Sequence, residues 1–145
     1  LSLEYAKQHS EQIFIWRLHP IISFKELKKH SSIFKDMPNN IILSKDSFDD
    51  DIQKCDSVLY RGSTAVLNAI SAGLKPIYYQ QSVDIPNIDP IYTCQVGKST
   101  VYNQEGLALA LHKGVNVKTK QSLQDFAQDF YTPLDVEAFL REIEG

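Results

Sequence analysis

The sequence predicts an α/β domain built on a doubly wound, Rossmann-like and largely parallel sheet, with helices on both faces and further helices closing the C-terminal end. Apolar segments of strand length alternate with segments of helix length at the spacing of βαβ units. The strand segments are short, continuous apolar runs, which is typical of parallel strands buried on both faces. A chain of 145 residues is also long enough to bury a core as a single domain.

The chain opens with a predicted helix at residues 1–12, where good helix formers follow an amphipathic pattern. β-Branched and aromatic residues then predict a strand at Ile13–Leu18. A second helix is expected over residues 23–34. Its start carries Ser23 and, three residues later, Glu26. This is the pattern of a capping box, in which both side chains satisfy backbone groups of the first turn.

The middle of the chain repeats a strand–helix–strand pattern. Strands are predicted at Ile41–Ser44, Ser57–Tyr60 and Pro76–Tyr79, with helices at residues 46–55 and 65–72 between them. These strands and the first one should be parallel members of one sheet. The residues that the second of these helices should bury are Val66, Leu67 and Ile70.

The last third of the chain has a less regular pattern. A loop with two prolines spans residues 80–90, and residues 91–97 are predicted to form one more strand. A helix at 103–114 should be capped by Asn103 and stopped by Gly114. Two closing helices are expected at residues 122–131 and 133–145, the second with Pro133 in its first turn.

Composition argues against several functions. The formal net charge is −3, so the chain lacks the basic surface on which nucleic-acid binding relies. No apolar run approaches the roughly 20 residues of a membrane-spanning helix. Cys55 and Cys94 lie far apart without a CxxC pattern and are expected to be reduced, intracellular thiols. The histidines show no metal-ligand spacing, and the acidic run Asp49–Asp51 is interpreted as a charge cluster at a helix start, so no metal site is predicted.

Two polar turns follow predicted strands at the carboxyl edge of the sheet, where open parallel sheets bind their ligands. One turn reads Arg61-Gly62-Ser63-Thr64. Gly62 permits a sharp turn, and the hydroxyl and backbone N–H groups of Ser63 and Thr64 would face outward at the positive end of a helix dipole, which suits an anion. The alternative is that Ser63 or Thr64 simply caps the helix. The turn is not a P-loop, because the GxxxxGK[ST] pattern is missing.

The other polar turn follows the first strand and contains Arg17 and His19. Residues two apart on a strand lie on one face, so both side chains would point to the same side, where they suit a pyrophosphate. The alternatives are that His19 is a surface histidine before a proline turn and that Arg17 forms a surface ion pair with an acidic residue of the next helix.

Residues 60–79, YRGSTAVLNAISAGLKPIYY, resemble the donor-binding signature of GT-B-fold glycosyltransferases. The similarity is closest to bacterial enzymes that build peptidoglycan precursors by GlcNAc transfer, capsules and other surface polysaccharides. The similar features are the turn at residues 61–64, a helix with small residues, Gly73, and a second strand containing Pro76. The RLHP segment at residues 17–20 is similar to the strand-end His-Pro of capsule-type members.

The resemblance implies that residues 1–145 are the C-terminal, donor-binding half of a cytoplasmic two-domain glycosyltransferase of cell-surface polysaccharide biosynthesis. Its ligand would be a nucleotide-sugar held through the diphosphate, without a metal or a cofactor. The residues implied in donor and phosphate binding are Arg17, His19, Arg61, Gly62, Ser63, Thr64 and Asn68. Asn68 stands near the rim, where many members carry a Glu that holds the ribose; an amide can also hydrogen-bond a hydroxyl.

The resemblance further implies a missing N-terminal acceptor-binding domain that supplies the general base, and peripheral membrane association of the full-length protein. The isolated domain should then bind donor without turning it over, and no catalytic residue is assigned within it. In the family a strand and a loop precede the helix that begins at Leu1. For a trimmed domain, the sheet should show a gap, a rearranged strand order or a strand borrowed from a neighbour.

Two alternative functions remain open. A nucleotide-sugar 2-epimerase would use the same fold but would need carboxylates in the cleft, and the sequence shows none at matching places. A non-catalytic α/β binding module would need none of this chemistry, because one fold can carry many functions. A receiver-type module is disfavoured, because no predicted strand ends in a lone acidic residue.

Overall fold

The computed structural model describes residues 1–19 and 21–130, together with residues 136, 140, 141 and 143. It confirms the predicted α/β class. The elements are α1 (Ser2–Gln8), β1 (Phe14–Trp16), α2 (Phe24–His30), β2 (Ile41–Leu43), α3 (Phe48–Ile52), β3 (Ser57–Tyr60), α4 (Val66–Ser71), β4 (Lys75–Tyr79), β5 (Ser99–Val101), α5 (Gln104–His112) and α6 (Val117–Phe130). A 3-10 turn at Ser32–Phe34 follows α2.

Neighbouring strands are parallel, as predicted, but they form two separate ladders. β1 pairs with β2, and β3, β4 and β5 form a second ladder in that order. The prediction of one continuous sheet is therefore wrong, because β1 and β3 are not hydrogen-bonded to each other. Both β1 and β3 are edge strands, and Ile15, Val58 and Leu59 on them are only partly buried.

One face of the sheet is covered by α1 and α5, which contact each other. Its apolar cluster combines Phe14 and Ile41 of the short ladder with Ile77 and Val101 of the long ladder. The helices complete this cluster with Leu3, Tyr5, Ala6, Leu107 and Ala110. The two ladders thus share one apolar layer although no backbone hydrogen bonds pair them.

The opposite face is covered by α4, which in turn packs against α6. The predicted burial of α4 is confirmed: Val66, Leu67 and Ile70 are all buried, while Asn68 is exposed. Leu123 and Ala127 of α6 join the same apolar cluster. Helices therefore lie on both faces of the sheet, as expected for a doubly wound domain.

The buried Lys75 at the start of β4 ties this strand to the end of α5. Its ammonium group donates to the backbone carbonyls of Ala110 and Lys113, the latter at 2.5 Å. The last carbonyls of a helix lack partners within the helix, so a cation is favourable there. Burial, and secondly the charge of Lys113, lower the pKa of Lys75 below its usual value.

Residues 91–97 do not form the predicted strand, which lies instead at Ser99–Val101. Ile91 and Cys94 are both buried in the α4 face of the core, and a spacing of three residues does not fit strand alternation. The Cys94 N–H donates to the Ile91 carbonyl, as in a turn. Gly97 then adopts a positive φ of 69°, and a Cβ there would lie 2.8 Å from Leu123 Cδ1. β5 therefore begins after this turn, at Ser99.

One of the predicted helix caps is confirmed and another is wrong. Asn103 accepts from the Gly106 N–H at the start of α5, as predicted. The predicted capping box of α2 is wrong, because the Ser23 side chain makes no cap hydrogen bond. Glu26 instead lies 3.4 Å from His30, one turn further along α2. On a helix, side chains four residues apart are neighbours, so His30 competes with the backbone of the first turn for the Glu26 side chain.

The last described helix begins earlier than predicted. α6 starts at Val117 rather than at Ser122, because the side chain of Asn116 accepts from the Thr119 N–H at 2.8 Å and so caps the first turn. α1 is shorter than predicted and ends at Gln8, and β1 covers only Phe14–Trp16. The predicted helix start at Pro133 lies outside the described residues.

Among the residues that the structure describes, no helix has both the length and the apolar content that are needed to cross a bilayer. Both cysteines are free, Cys94 buried and Cys55 partly buried.

Asn40 joins the first helix to the short ladder. Its amide nitrogen lies within hydrogen-bonding distance of three carbonyl oxygens, those of Ala6 at 3.0 Å, His9 at 2.9 Å and Gln12 at 2.8 Å. These carbonyls belong to the end of α1 and to the turn before β1, whereas Asn40 directly precedes β2. One side chain thus supplies a hydrogen-bond donor to the carbonyl groups of the irregular backbone between α1 and β1.

We expect the substitution Asn40→Ala to lower the free energy of unfolding by about 1–3 kcal/mol, because it removes the side-chain donor that these carbonyls share. Urea titration followed by far-UV circular dichroism measures this change. The neighbouring Asn39 is exposed, and Asn39→Ala serves as the matched control. Equal effects of the two substitutions would contradict the role given to Asn40.

Candidate functional site

The turn Arg61-Gly62-Ser63-Thr64 lies at the carboxyl end of β3, and all four residues are exposed. Gly62 has a positive φ of 70°, which residues with a Cβ rarely adopt. A Cβ at this position would also lie 2.8 Å from Ile88 Cδ1. The expectation that Gly62 adopts a backbone shape that bulkier residues resist is therefore confirmed.

The backbone N–H groups that follow Gly62 are available to a ligand. Within the described part of the chain, the N–H groups of Ser63, Thr64 and Ala65 donate no hydrogen bond. Their carbonyls, in contrast, accept from residues of α4: Val66 donates to Ser63, and Leu67 to Thr64. The backbone is thus already winding into the helix, and its first N–H groups have no partner among the described residues, as is usual for the first turn of a helix.

The simpler interpretation of this turn, a side-chain cap, is not what the structure shows. The N-cap residue of α4 is Ala65, and no side chain caps the helix. Ser63 and Thr64 precede the cap position, and neither hydroxyl makes a hydrogen bond among the described residues. The two hydroxyls therefore stand exposed beside three unpartnered N–H groups.

The loop after β4, residues 80–89, packs against this turn. Arg61 donates to the side-chain oxygen of Gln81 at 3.0 Å. Ile88 of the same loop lies against Gly62, where its side chain occupies the space that a Cβ would need. Two neighbouring parallel strands thus deliver their carboxyl-end segments to one place, as expected for this edge of the sheet.

Hydrogen bonds at the carboxyl end of β4 hold this loop in position. The Tyr78 hydroxyl donates to the side-chain oxygen of Gln80 at 2.9 Å and accepts from the Ile88 N–H at 3.2 Å. The Gln80 amide nitrogen donates to the carbonyls of Ser82 at 2.6 Å and Ile85 at 2.8 Å. Gln80 and Tyr78 are both buried, so the loop is anchored from beneath.

A buried carboxylate fixes the far end of the loop. Asp89 accepts from the Tyr60 hydroxyl at 2.8 Å, from the Lys98 ammonium at 2.6 Å and from the Ile91 N–H at 3.0 Å. Its side chain is 1% exposed, so the pairing with Lys98 compensates a charge held away from water. Burial, and then the hydrogen bond to Asp89, raise the pKa of the Tyr60 hydroxyl, so Tyr60 stays protonated and acts as a donor.

A cavity of about 500 Å³ opens beside the anchored loop. Its polar lining comes from Tyr78, Gln80, Asp84, Asn87, Asp89 and Lys98, and Val83, Ile85 and Pro86 add apolar side chains. Residues 80–90 were predicted only as a connecting loop, and none of the residues that line the cavity was among the predicted site residues. The signal that was available is their position, since polar residues directly after a buried strand lie at the edge where ligands bind.

Arg17 is placed elsewhere and is already paired. Its guanidinium donates to the Asp51 carboxylate at 2.5 Å, to the Ser44 hydroxyl at 3.1 Å and to the Asp46 carbonyl at 2.8 Å. The ion-pair alternative is therefore observed, with a partner on α3 and not on the next helix, α2. The guanidinium also lies 5.7 Å from the centre of the Phe48 ring. A role of Arg17 in phosphate binding stays a prediction.

Asp51 is almost fully buried in this arrangement, with 7% of its side chain exposed. Burial raises the pKa of its carboxyl group. The hydrogen bonds from Ser44 and Arg17 and the charge of Arg17 outweigh that effect, so the net pKa lies below the ordinary value. Asp49, Asp50 and Asp51 all lie in the first turn of α3, which Ser47 caps, so the predicted charge cluster at a helix start is confirmed. Asp51 is its buried member and pairs with Arg17.

The remaining predicted site residues are exposed. The ring of His19 accepts from the Ile21 N–H at 3.4 Å, which is a long hydrogen bond. Asn68 lies on the exposed side of α4. Among the described residues, no hydrogen bond or ion pair connects Arg17 or His19 with the turn at residues 61–64. The structure thus brings Arg61, Gly62, Ser63 and Thr64 together with the loop, and leaves Arg17 with α3.

Residues 1–19 and 21–130, with the few described residues beyond them, contain no cluster of three or more His, Cys, Asp or Glu side chains that could hold a metal ion.

No protein-family model, curated protein or solved structure matches this chain. The resemblance to GT-B-fold glycosyltransferases therefore rests on the residues of the motif alone.

We expect Gly62→Ala to lower the free energy of unfolding by about 1–2 kcal/mol, because the left-handed backbone is unfavourable for a residue with a Cβ. Gly114 has no atom of another residue within 4 Å of an added Cβ and no positive φ, so Gly114→Ala is the matched control and should be nearly neutral. Urea titration compares the two variants. Equal stability of both would contradict the strain assigned to Gly62.

Stability should depend on pH through Asp51. Its folded-state pKa is lowered, so its contribution is present above the unfolded-state pKa of about 4 and is lost as the pH falls through the lower folded-state value. We expect Asp51→Asn to destabilise the domain at pH 7 and to do so much less at about pH 3. Urea titrations at both pH values test this, with the exposed Asp49→Asn as control. A destabilisation by Asp51→Asn that does not change with pH would contradict it.

Proposed function

We propose that the turn at residues 61–64 binds the diphosphate of a nucleotide-sugar and that the domain is the donor-binding half of a glycosyltransferase of cell-surface polysaccharide biosynthesis. The observation that carries the proposal is a left-handed Gly62 at the carboxyl end of β3, followed by three N–H groups that donate no hydrogen bond among the described residues. Successive backbone N–H groups around such a turn form a concave site for anions.

The groups around the turn suit a phosphate. Arg61 contributes a positive charge, and the hydroxyls of Ser63 and Thr64 are exposed hydrogen-bond donors. α4 has only six residues, and an exposed helix start contributes about 0.3–1 kcal/mol to the binding of an anion. Useful affinity therefore requires the hydroxyls, Arg61 and contacts to the rest of the nucleotide in addition to the dipole.

In this proposal Asn68 and the cavity beside the loop after β4 hold the rest of the ligand. Asn68 lies one helical turn further along α4, where its amide suits the ribose hydroxyls. The cavity of about 500 Å³ beside the loop is lined in part by Asp84, Asn87 and Thr100, whose side chains can hydrogen-bond to the hydroxyls of a sugar. The similarity of residues 60–79 to the donor-binding signature supports a nucleotide-sugar over a smaller anion.

Catalysis in this proposal consists of holding the leaving group. The N–H groups of the turn stabilise the charge that develops on the diphosphate as its bond to the sugar's anomeric carbon breaks and the acceptor oxygen bonds to that carbon. The general base belongs to a separate acceptor-binding domain, so residues 1–145 alone bind donor but do not transfer sugar. A cytoplasmic location and a peripheral membrane association of the full-length enzyme are parts of the same proposal.

Titration of the unmodified domain with UDP, CDP and GDP, followed by NMR, identifies the nucleotide. We then expect Ser63→Ala/Thr64→Ala to weaken binding of that nucleoside diphosphate by about tenfold, which is about 1.4 kcal/mol. Binding of the matching nucleoside should change less, because only the diphosphate presents phosphate to the turn.

The matched control is Ser23→Ala/Ser32→Ala, which removes two exposed hydroxyls near α2. The control should bind like the unmodified domain. Equal losses for nucleoside and diphosphate, or no binding of any diphosphate at millimolar concentration, would refute the phosphate site and leave the turn as a structural connection.

A further inference from the structure

The cavity beside the loop after β4 has an uneven set of charges in its wall. Among the described residues that line it, three side chains are charged: Asp84, Asp89 and Lys98. Two carboxylates thus face one ammonium group, so the wall is negative overall. The effect on a ligand depends on which of these charges already have a partner of opposite sign within the protein, because opposite charges in contact largely cancel each other's field.

Lys98, the cation in the wall, is fully engaged by the protein. Its ammonium group donates to the Asp89 carboxylate at 2.6 Å, to the Ile91 carbonyl at 3.0 Å and to the Tyr92 carbonyl at a longer 3.5 Å. An ammonium group has three N–H donors, and these contacts use all of them. Only 12% of the Lys98 side chain is exposed. An anionic ligand would therefore have to displace the buried Asp89 carboxylate and leave its charge unpaired, which is strongly unfavourable.

The two carboxylates of the wall differ in their surroundings. Asp89 accepts from the Lys98 ammonium, from the Tyr60 hydroxyl and from a backbone N–H group. Asp84 belongs to none of the ion pairs between described residues. Its exposed carboxylate accepts from the Ser82 hydroxyl at 3.4 Å, a long hydrogen bond within the same loop. Asp84 therefore keeps an uncompensated negative charge at the wall of the cavity.

The rest of the lining suits an uncharged ligand. Asn87 and Thr100 offer an amide and a hydroxyl, which hydrogen-bond to neutral polar groups. Apolar side chains of the same wall offer contacts to the carbon skeleton of a ligand: Val83, Ile85 and Pro86. A volume of about 500 Å³ lies within the usual range of small-molecule sites.

The loop that carries Asp84 also touches the turn after β3. At one end of the loop, Gln81 accepts from Arg61 at 3.0 Å. At the other end, Ile88 occupies the space that a Cβ on Gly62 would need. Residues 83–87, between these two contacts, line the cavity. The wall of the cavity and the turn that is proposed to hold the diphosphate are thus joined through one short loop.

We infer that the sugar of the donor carries no carboxylate group and that Asp84 is the residue that selects against one. The inference rests on the proposed function, because it places the sugar of a nucleotide-sugar in this cavity. A carboxylate in the cavity would be repelled by Asp84 and would find Lys98 already bound to Asp89. Uncharged hydroxyl and amide groups are affected by neither, so the charge pattern discriminates between the two kinds of sugar.

Two donors that differ in one group test the inference on the chain of residues 1–145. They carry a hexose or the matching hexuronate on the nucleotide that binds the unmodified domain: UDP-glucose and UDP-glucuronate, GDP-mannose and GDP-mannuronate, or CDP-glucose and CDP-glucuronate. Isothermal titration calorimetry at low salt should show the hexose form binding at least about threefold more tightly. Added salt should reduce this ratio, because the charge of an exposed carboxylate is screened.

Substitutions of Asp84 assign the selectivity to one side chain. Asp84→Asn keeps the size and the hydrogen-bonding groups but removes the charge, so the ratio of the two affinities should fall to about one. Asp84→Lys should reverse the preference in favour of the hexuronate. The matched control is Asp129→Asn at an exposed position of α6, which should leave the ratio unchanged. Far-UV circular dichroism verifies that each variant is folded.

The failure of this inference and the failure of the proposed function give different results. If the nucleoside diphosphate binds but the hexose and hexuronate donors bind equally well, the selectivity is wrong and the phosphate site stands. A preference for the hexose that both Asp84 variants retain would show that Asp84 is not its source. If no nucleoside diphosphate binds the unmodified domain, the proposed function fails and this inference fails with it.

Discussion

The burial of β4 on both faces is the constraint on which the rest of the structure depends. Its residues Lys75 to Tyr78 are buried, and it is hydrogen-bonded to a parallel strand on each side. A parallel strand in this position needs helices above and below it, and α1 and α5 on one face and α4 and α6 on the other provide them. Polar chemistry is thereby confined to the strand ends, where the turn after β3 and the loop after β4 meet.

Buried polar side chains fix the irregular segments around this core. Asp51, Lys75, Gln80 and Asp89 are the buried polar residues of the described chain, and each one bonds to a segment distant from its own element or to an irregular loop. No buried side-chain nitrogen or oxygen in the described residues lacks a hydrogen-bond partner. Because an unpartnered buried group costs about 1–3 kcal/mol, each of these bonds specifies one arrangement of its loop. The cavity beside residues 80–89 therefore has a defined wall.

The candidate site residues differ in what they are free to do. The guanidinium of Arg17 already has a carboxylate, a hydroxyl and a carbonyl as partners, so binding an external anion would compete with Asp51. The turn at residues 61–64 is the opposite case, since its hydroxyls and first N–H groups have no partner among the described residues while its carbonyls are engaged by α4. The proposed phosphate site consequently rests on the turn and the adjacent loop rather than on the RLHP segment.

The sequence by itself determined the unit of β3, α4 and β4 almost to the residue. The apolar runs, the stop at Gly73 and the buried positions of α4 are local patterns, and local periodicity directly encodes which side of an element is buried. The positive φ of Gly62 followed from the same kind of local argument. Only the tertiary structure decided the division into two ladders, the turn at residues 91–97, the pairing of Arg17 with Asp51 across 34 positions, and the packing of Ile88 on Gly62. These features depend on how separate segments pack against one another. A periodic pattern within one segment shows which side of that segment is buried, but not which other segment packs against it.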